Sequence, residues 1–358
     1  MTDKLKKTLT EYKKKVDFAM KEYFENLSWA KNDPIIKDYY HDLTKFMLTG
    51  GKRLRPVAMM IAYSGLDGKR DIINAALSIE LLHNASLIED DIIDGDETRR
   101  GKPTLQRIFK DKFLESNNEI KYDEKIFNSE SSRISVSNAI LMVNILFASG
   151  AKLLSEFDPE KAAKCLDIYN EAFIGMSEGQ LLDVEYEKWD DVLEEEYLDM
   201  SEKKTAHLIS AALEISAILA DANKTQIQAL KKYATNISLA FQIQDDLIDI
   251  DEKAKKGRPI GSDIISGKQT LLIIKALAFS SRWNQRKITK VLGNSSASKK
   301  ELEIAIQTIK KSGSVEYCQQ LAENKIADAK KGLLKANLNE QSQEFFLDLA
   351  DYCLERIN

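Results

Sequence analysis

Two passages of this chain carry acidic residues at one spacing: Asp90-Asp91-Ile92-Ile93-Asp94 and Asp245-Asp246-Leu247-Ile248-Asp249. In each, the first and last aspartates are four apart, which stacks them on one face of a helix. Like charges at that spacing repel. Apolar residues precede both passages, and carboxylates on buried helices are costly unless something compensates them. A single acidic turn reads best as a solvated helix end balanced by nearby lysine and arginine. Two copies of one spacing, each after a long apolar helix, read better as a cation site. Neither passage contains Cys or His, so only oxygen ligands are offered. Hard cations, Mg2+ above all, take that set and complete it with water and phosphate oxygens.

The basic residues agree that phosphate belongs there. Gly50-Gly51-Lys52-Arg53-Leu54-Arg55-Pro56 places three cations behind a flexible glycine pair. Thr98-Arg99-Arg100-Gly101-Lys102 follows the first acidic turn, and Lys203-Lys204-Thr205 and Arg258 to Lys268 add more. Arginine suits forked phosphate contacts and lysine acts as a point charge. Any one of these groups reads as a solvated face. Together with two acidic turns they describe a cavity for Mg2+ and polyphosphate.

The elements that must position these residues read as helices. Leu5, Leu9, Tyr12, Val16, Met20, Tyr23 and Leu27 form one stripe. Residues 71–93 are apolar almost all round, as in a helix buried inside a bundle. Residues 136–155, 161–186, 202–220 and 225–250 read alike, and 285–344 reads as lysine-rich amphipathic helices. No run alternates convincingly as a strand. Five prolines punctuate the chain, and polar residues 111–133 read as a surface excursion. The expectation is one all-α domain over residues 1–358, a large helical bundle with a central cavity. The net charge of −5 argues against a general nucleic-acid binder. Cys165, Cys318 and Cys353 form no CxxC pair and suit a reducing, cytoplasmic setting. The N-terminus reads as no signal peptide, and the most apolar stretch, 139–154, reads as too short to span a bilayer.

In its motifs and their order, from GGKRLRP at 50 to Gly267-Lys268, the chain resembles the trans-isoprenyl diphosphate synthases of the polyprenyl synthetase family. HNASLIEDDIIDGDETRRGKPT, Gly179-Gln180, Lys204-Thr205 and FQIQDDLID carry the likeness. The resemblance implies the isoprenoid synthase fold, a homodimer, three Mg2+ ions, and condensation of isopentenyl diphosphate with an allylic prenyl diphosphate. It implies Asp90, Asp94 and Asp245 as direct metal ligands, with Asp91, Asp246 and Asp249 supporting or bridging through water. Lys52, Arg55, His83 and Arg100 match the isopentenyl diphosphate pocket. Arg99, Lys204 and Lys268 match groups on the allylic diphosphate, with Arg258 standing where many members have lysine. Thr205, Phe241 and Gln242 match the lining of the reacting centre. Val143-Asn144 replaces a common Gly-Asp pair.

The implied chemistry is ionisation of an allylic diphosphate, attack by the isopentenyl double bond, and proton loss, with no protein nucleophile. Ala85 and Ser86, both small, stand a turn before Asp90, with bulkier Leu81 and Leu82 below them. That wall implies a product beyond fifteen carbons, geranylgeranyl diphosphate first. Longer polyprenyl or farnesyl synthesis, a terpene cyclase and a non-catalytic partner subunit are the alternatives.

Overall fold

A computed structural model describes residues 1–27, 33–123, 125–189, 191–251 and 259–355. Arg258 lies outside the described residues. In chain order the helices are α1 (Asp3–Asn26), α2 (Pro34–Met47), α3 (Leu54–Gly65), α4 (Ile73–Ile93), α5 (Leu105–Ser116), α6 (Glu130–Ser155), α7 (Pro159–Tyr186), α8 (Glu194–Ser201), α9 (His207–Leu219) and α10 (Lys224–Ile248). They continue as α11 (Ser262–Ser266), α12 (Leu271–Phe279), α13 (Arg282–Thr289), α14 (Lys299–Lys310), α15 (Ser314–Leu333) and α16 (Glu340–Leu354). The all-α reading holds. The described residues group into two compact units. One holds Lys6–Met60 and Lys69–Tyr169, and the other holds Met1–Leu5, Ile61–Gly68 and the chain from Asn170 onward.

Local chemistry sets the helix starts. Asp33 caps α2 by accepting from the backbone N–H groups of Ile35 (2.8 Å) and Ile36 (3.2 Å), and Pro34 supplies a first residue that needs no N–H partner. Asn223 and Gln226 close a reciprocal capping box on α10.

In the first unit, α4 packs along α6. Leu77, Leu81, Ala85 and Ile88 meet Ala139, Met142, Val143 and Leu146 in an apolar cluster that also takes in Phe24, Leu43 and Phe109. Val143, of the replaced pair, sits inside this cluster, while Asn144 is exposed. In the second unit α10 is central, packed by α9 and α15. Tyr233 of α10 stands edge-on to Phe346 of α16 and donates its hydroxyl to the Phe346 carbonyl at 2.6 Å.

Four details differ from the sequence reading. The span 202–220 is not one helix: a π-helical turn at Glu202–Ala206 joins α8 to α9. A two-residue antiparallel hairpin, β1 (Thr98–Arg99) with β2 (Lys102–Pro103), occurs where no strand was expected. Its tip, Arg100 and Gly101, has φ of +54° and +72°, the left-handed pair that a tight hairpin requires. The surface excursion is narrower than 111–133, since its ends belong to α5 and α6. Helix α6 is 26 residues long because Ser129 caps it well before residue 139. By length and composition it could cross a membrane, but it lies against α4 and α5 and gives one face to the core.

Arg53 behaves unlike its neighbours Lys52 and Arg55. Its φ of +54° turns it inward, leaving it 5% exposed. It donates to Asp17 and Glu80, each at 2.7 Å, and to the Met47 carbonyl at 2.6 Å. It is an internal strut that leaves Glu80 compensated. Arg53→Met should therefore lower unfolding stability by about 3 kcal/mol, because the Glu80 carboxylate is left buried without its cation. Denaturant unfolding measures this, and a loss below about 1 kcal/mol would show the pair to be dispensable.

Candidate active site

Both acidic turns end their helices. Asp90 and Asp91 stand in the last turn of α4 with Asp94 as its C-cap, and Asp245 and Asp246 stand in the last turn of α10 with Asp249 as its C-cap. A helix C-terminus carries partial negative charge from its unsatisfied carbonyls, so carboxylates there are disfavoured twice over. Something cationic must offset them.

In the first unit, the hairpin folds Arg99 back onto α4. Its Nε donates to Asp91 Oδ1 at 2.7 Å and its Nη2 to Asp90 Oδ2 at 3.1 Å. Asp91 is fully buried, and its Oδ2 has no hydrogen-bond partner among the described residues. Burial pushes its carboxyl up to about 6, against the opposing pull of Arg99. The other arm of the hairpin tip lays Arg100 over the glycine pair. A Cβ on Gly51 would come within 3.0 Å of Arg100 Nη1 and 3.3 Å of Arg53 Nη1, so glycine there lets the guanidiniums close in.

Arg55 Nη1 donates to His83 Nε2 at 3.2 Å. Since arginine only donates, Nε2 must accept and the imidazole proton sits on Nδ1. Burial and the surrounding Arg55, Arg100, Arg53 and Arg99 hold His83 well below the usual histidine range, so it is neutral at pH 7. Arg55 Nε is buried with no hydrogen-bond partner among the described residues. Burial and mutual repulsion also pull Arg100 down from its ordinary value. Guanidiniums crowded around a neutral imidazole, with a buried donor left over, make a site for a polyanion. Lys52 is exposed on the same loop.

In the second unit, Asp183 of α7 gathers two of the expected lysines. Its Oδ2 accepts from Lys204 Nζ at 2.7 Å and Lys268 Nζ at 2.8 Å, and Lys268 also reaches Glu187 Oε1 at 2.6 Å. Burial would raise the Asp183 carboxyl, but the two ammonium groups hold it below the carboxylate range. Lys204 and Thr205 ride on the π-helical turn, an irregularity frequent at functional sites. A Cβ on Gly179 would lie 2.3 Å from the Lys204 backbone nitrogen, so this glycine lets α7 close on that turn. Thr205 Oγ1 donates to Gln242 Oε1 at 3.2 Å, and Gln242 Nε2 donates to Asp246 Oδ1 at 3.0 Å. Tyr197 donates to Asp246 Oδ2 at 2.6 Å. Phe241, beside Gln242, is half-buried. Asp249 is 2% exposed and turned to other use, accepting from Ser262 Oγ at 2.9 Å and the Asp263 N–H at 3.2 Å.

The expected residues thus fall into two local clusters. Lys52, Arg55, His83, Arg99, Arg100 and the first acidic turn lie in one unit. Lys204, Thr205, Gln242, Lys268 and the second acidic turn lie in the other. On α4, Ser86 stands one turn before Asp90 on its face, whereas Ala85 belongs to the closed apolar cluster and Leu82 is fully buried. A cavity of about 840 Å³ beside α1 and α2, lined by Phe24, Tyr40, Thr44 and Leu48, holds none of these groups. Sequence reasoning missed Glu80, Asp183, Glu187 and Tyr197. Glu80, a lone acid inside an apolar helix, and Asp183, four residues past Gly179 in Gly-Gln-x-x-Asp, were the available signals.

These residues fit a hard divalent cation with diphosphate. The oxygens on offer are those of carboxylates, one of them buried at Asp91 without a hydrogen-bond partner among the described residues. Among the described residues no group of three or more acids, histidines or cysteines is gathered closely enough to hold a metal ion by itself. Mg2+ takes one or two carboxylates and fills its shell with water and phosphate.

Comparison with known proteins agrees. The fold is that of an all-α prenyl synthase: the chain overlays the crystal structure of geranylgeranyl pyrophosphate synthase from Corynebacterium glutamicum, complexed with isoprenyl diphosphate and magnesium, with a TM-score of 0.85 at 25% identity, over 96% of this chain and 98% of that one. The polyprenyl synthetase family model matches residues 36–309. The chain is 34% identical to the short chain isoprenyl diphosphate synthase of Methanocaldococcus jannaschii over 96% of this chain and 94% of that protein. It is 36% identical to the geranylgeranyl diphosphate synthase of Sulfolobus acidocaldarius over 84% and 87%. The chain belongs to the polyprenyl synthetase family.

Burial pushes the Asp246 carboxyl up to about 8. A carboxyl raised above its unfolded value stabilises the fold most at low pH, and that contribution is lost as pH rises from about 4 through the folded value. With a chelator present, the melting temperature of the wild type should therefore fall by several degrees relative to Asp246→Asn between pH 5 and 8. Parallel melting curves across that range would contradict the assignment.

Proposed function

We propose that this prenyltransferase joins isopentenyl diphosphate to an allylic prenyl diphosphate and makes geranylgeranyl diphosphate. The observation that carries the reading is that two helices end in acidic turns at their negative termini, the first with Arg99 against it and guanidiniums crowded around His83 in the same unit. The names of the Sulfolobus and Corynebacterium relatives support the product, and the family match across residues 36–309 supports a single synthase domain. Three Mg2+ ions are proposed. When bound, Mg2+ neutralises diphosphate oxygens and makes the diphosphate a better leaving group. Asp90, Asp94 and Asp245 would hold it directly, with Asp91, Asp246 and Asp249 as support.

Each remaining task falls to a named group. Arg99, Lys204 and Lys268 take up the charge of the allylic diphosphate, on release from Asp90, Asp91 and Asp183. Lys52, Arg55 and Arg100 grip isopentenyl diphosphate, while neutral His83 accepts from Arg55 and fixes its fork. Thr205, Phe241 and Gln242 line the place where the carbon cation forms, excluding water that would quench it. The proton lost at the end goes to the departing diphosphate, so no side-chain base is required. A homodimer is proposed, supported by Ile140 and Leu141, exposed on α6 at 48% and 55%. A cytoplasmic setting is proposed too, and the three cysteines are buried without a disulfide.

Purified protein given Mg2+, farnesyl diphosphate and isopentenyl diphosphate should yield linear twenty-carbon diphosphate. A hydrocarbon product would mean a cyclase, and turnover only with an added partner would mean a dependent subunit. Asp90→Ala and Asp245→Ala should each lower kcat at least about a hundredfold while far-UV circular dichroism stays helical. Near-native activity in both would refute the metal assignment.

Ser86→Phe should shorten the product to fifteen carbons by filling the Asp90 face one turn down. Ala85→Phe, which points into the closed cluster instead, should cost about 1–3 kcal/mol of stability by overpacking it. If the wild type already stops at fifteen carbons with excess isopentenyl diphosphate, the wall lies elsewhere.

A further inference from the structure

Asp246 is the middle carboxylate of the second acidic turn, 4% exposed. Among the described residues it is held by neutral donors alone: the Tyr197 hydroxyl on one oxygen and the Gln242 amide on the other. The contrast with Asp91 is informative, since Asp91 has Arg99 against it. Two neutral hydrogen bonds, one from each side, fix the direction of the Asp246 carboxyl without a cation against it.

Tyr197 suits an orienting role. It is 2% exposed, it comes from α8 rather than from α10, and its bond to Asp246 is short and buried. On the far side, Gln242 is tied to Thr205 of the π-helical turn. The chain Tyr197–Asp246–Gln242–Thr205 therefore anchors the last turn of α10 from both α8 and the turn that carries Lys204. Asp245 is the adjacent residue on that last turn.

We propose that Tyr197 is a positioning residue of the metal–diphosphate site: its phenol fixes the Asp246 carboxylate and so sets the direction in which the end of α10 offers Asp245. This rests on the functional reading above. Partners that orient a ligand from behind typically matter by about 10–100-fold in metal affinity.

The test is Tyr197→Phe, which removes one oxygen and keeps the ring. Tyr233→Phe is the control, since it deletes a hydrogen bond equally buried in the same unit but made to a backbone carbonyl. Two readouts are taken. Calorimetry follows Mg2+ binding in the presence of the S-thiolo analogue of farnesyl diphosphate, whose carbon–sulfur bond resists ionisation. Steady-state kinetics follow kcat, the Mg2+ half-saturation and KM for isopentenyl diphosphate. Tyr197→Phe should weaken Mg2+ binding about tenfold in both measurements and lower kcat, with KM for isopentenyl diphosphate within about twofold of wild type. Tyr233→Phe should leave the Mg2+ titration unchanged. A wild-type Mg2+ titration for Tyr197→Phe, or equal shifts in the two variants, would overturn the proposal while leaving the functional reading intact. A wild type with neither turnover nor Mg2+-dependent binding would overturn that reading and this inference with it.

Discussion

Six carboxylates at the negative ends of two apolar helices are the constraint on which the rest depends. Each helix end already carries unsatisfied carbonyls, and each acidic turn adds like charges in a partly buried setting. The protein offsets this unevenly. At α4 a hairpin exists to bring Arg99 back, and its left-handed tip places Arg100 over two glycines. At α10 the Asp246 oxygens meet a phenol and an amide, while the Asp249 carboxylate is absorbed by the backbone and hydroxyl of the following turn.

The basic groups show the complementary strain. Arg53 is fully used inside the first unit, with Glu80 and Asp17 as counter-charges. Arg55, two residues on, has a buried donor without a partner among the described residues and a neutral imidazole beside it. Lys204 and Lys268 are both held by Asp183. Lysines and arginines thus lean on carboxylates, and in the proposed reaction a diphosphate takes the place of those carboxylates. The exchange of one set of oxygens for another keeps every charge paired, which is how a polar site survives inside an apolar bundle.

Much of this was legible in the chain. The apolar periodicity of 71–93 and 225–250 marks α4 and α10 to within a few residues, because helices buried all round leave continuous apolar runs. The acidic spacing and its chemistry were equally plain. What was hidden depends on backbone torsion and on contacts between distant elements. Nothing in GGKRLRP says that Arg53 takes a left-handed φ and turns inward to Asp17, Glu80 and the Met47 carbonyl. The π-helical turn inserts one residue per turn without disturbing the apolar pattern, so 202–220 looks continuous. Tyr197 follows Glu194-Glu195-Glu196, which reads as a solvated run, and its burial comes from elements distant in sequence, α10 and α12 among them. Ala85 and Ser86 are adjacent and both small, yet helical geometry sends one into the core and leaves the other on the Asp90 face.

The central claim is that metal and diphosphate bind as one unit because each compensates what the other's site leaves unbalanced. Its most direct measurement is the melting temperature of the wild-type protein with Mg2+ alone, with the S-thiolo farnesyl analogue plus chelator, and with both. The account predicts a shift of no more than about 1–2 °C for either alone and a rise well beyond their sum, by several degrees, for the two together. Full stabilisation by the analogue in chelator, with nothing added by Mg2+, would contradict it.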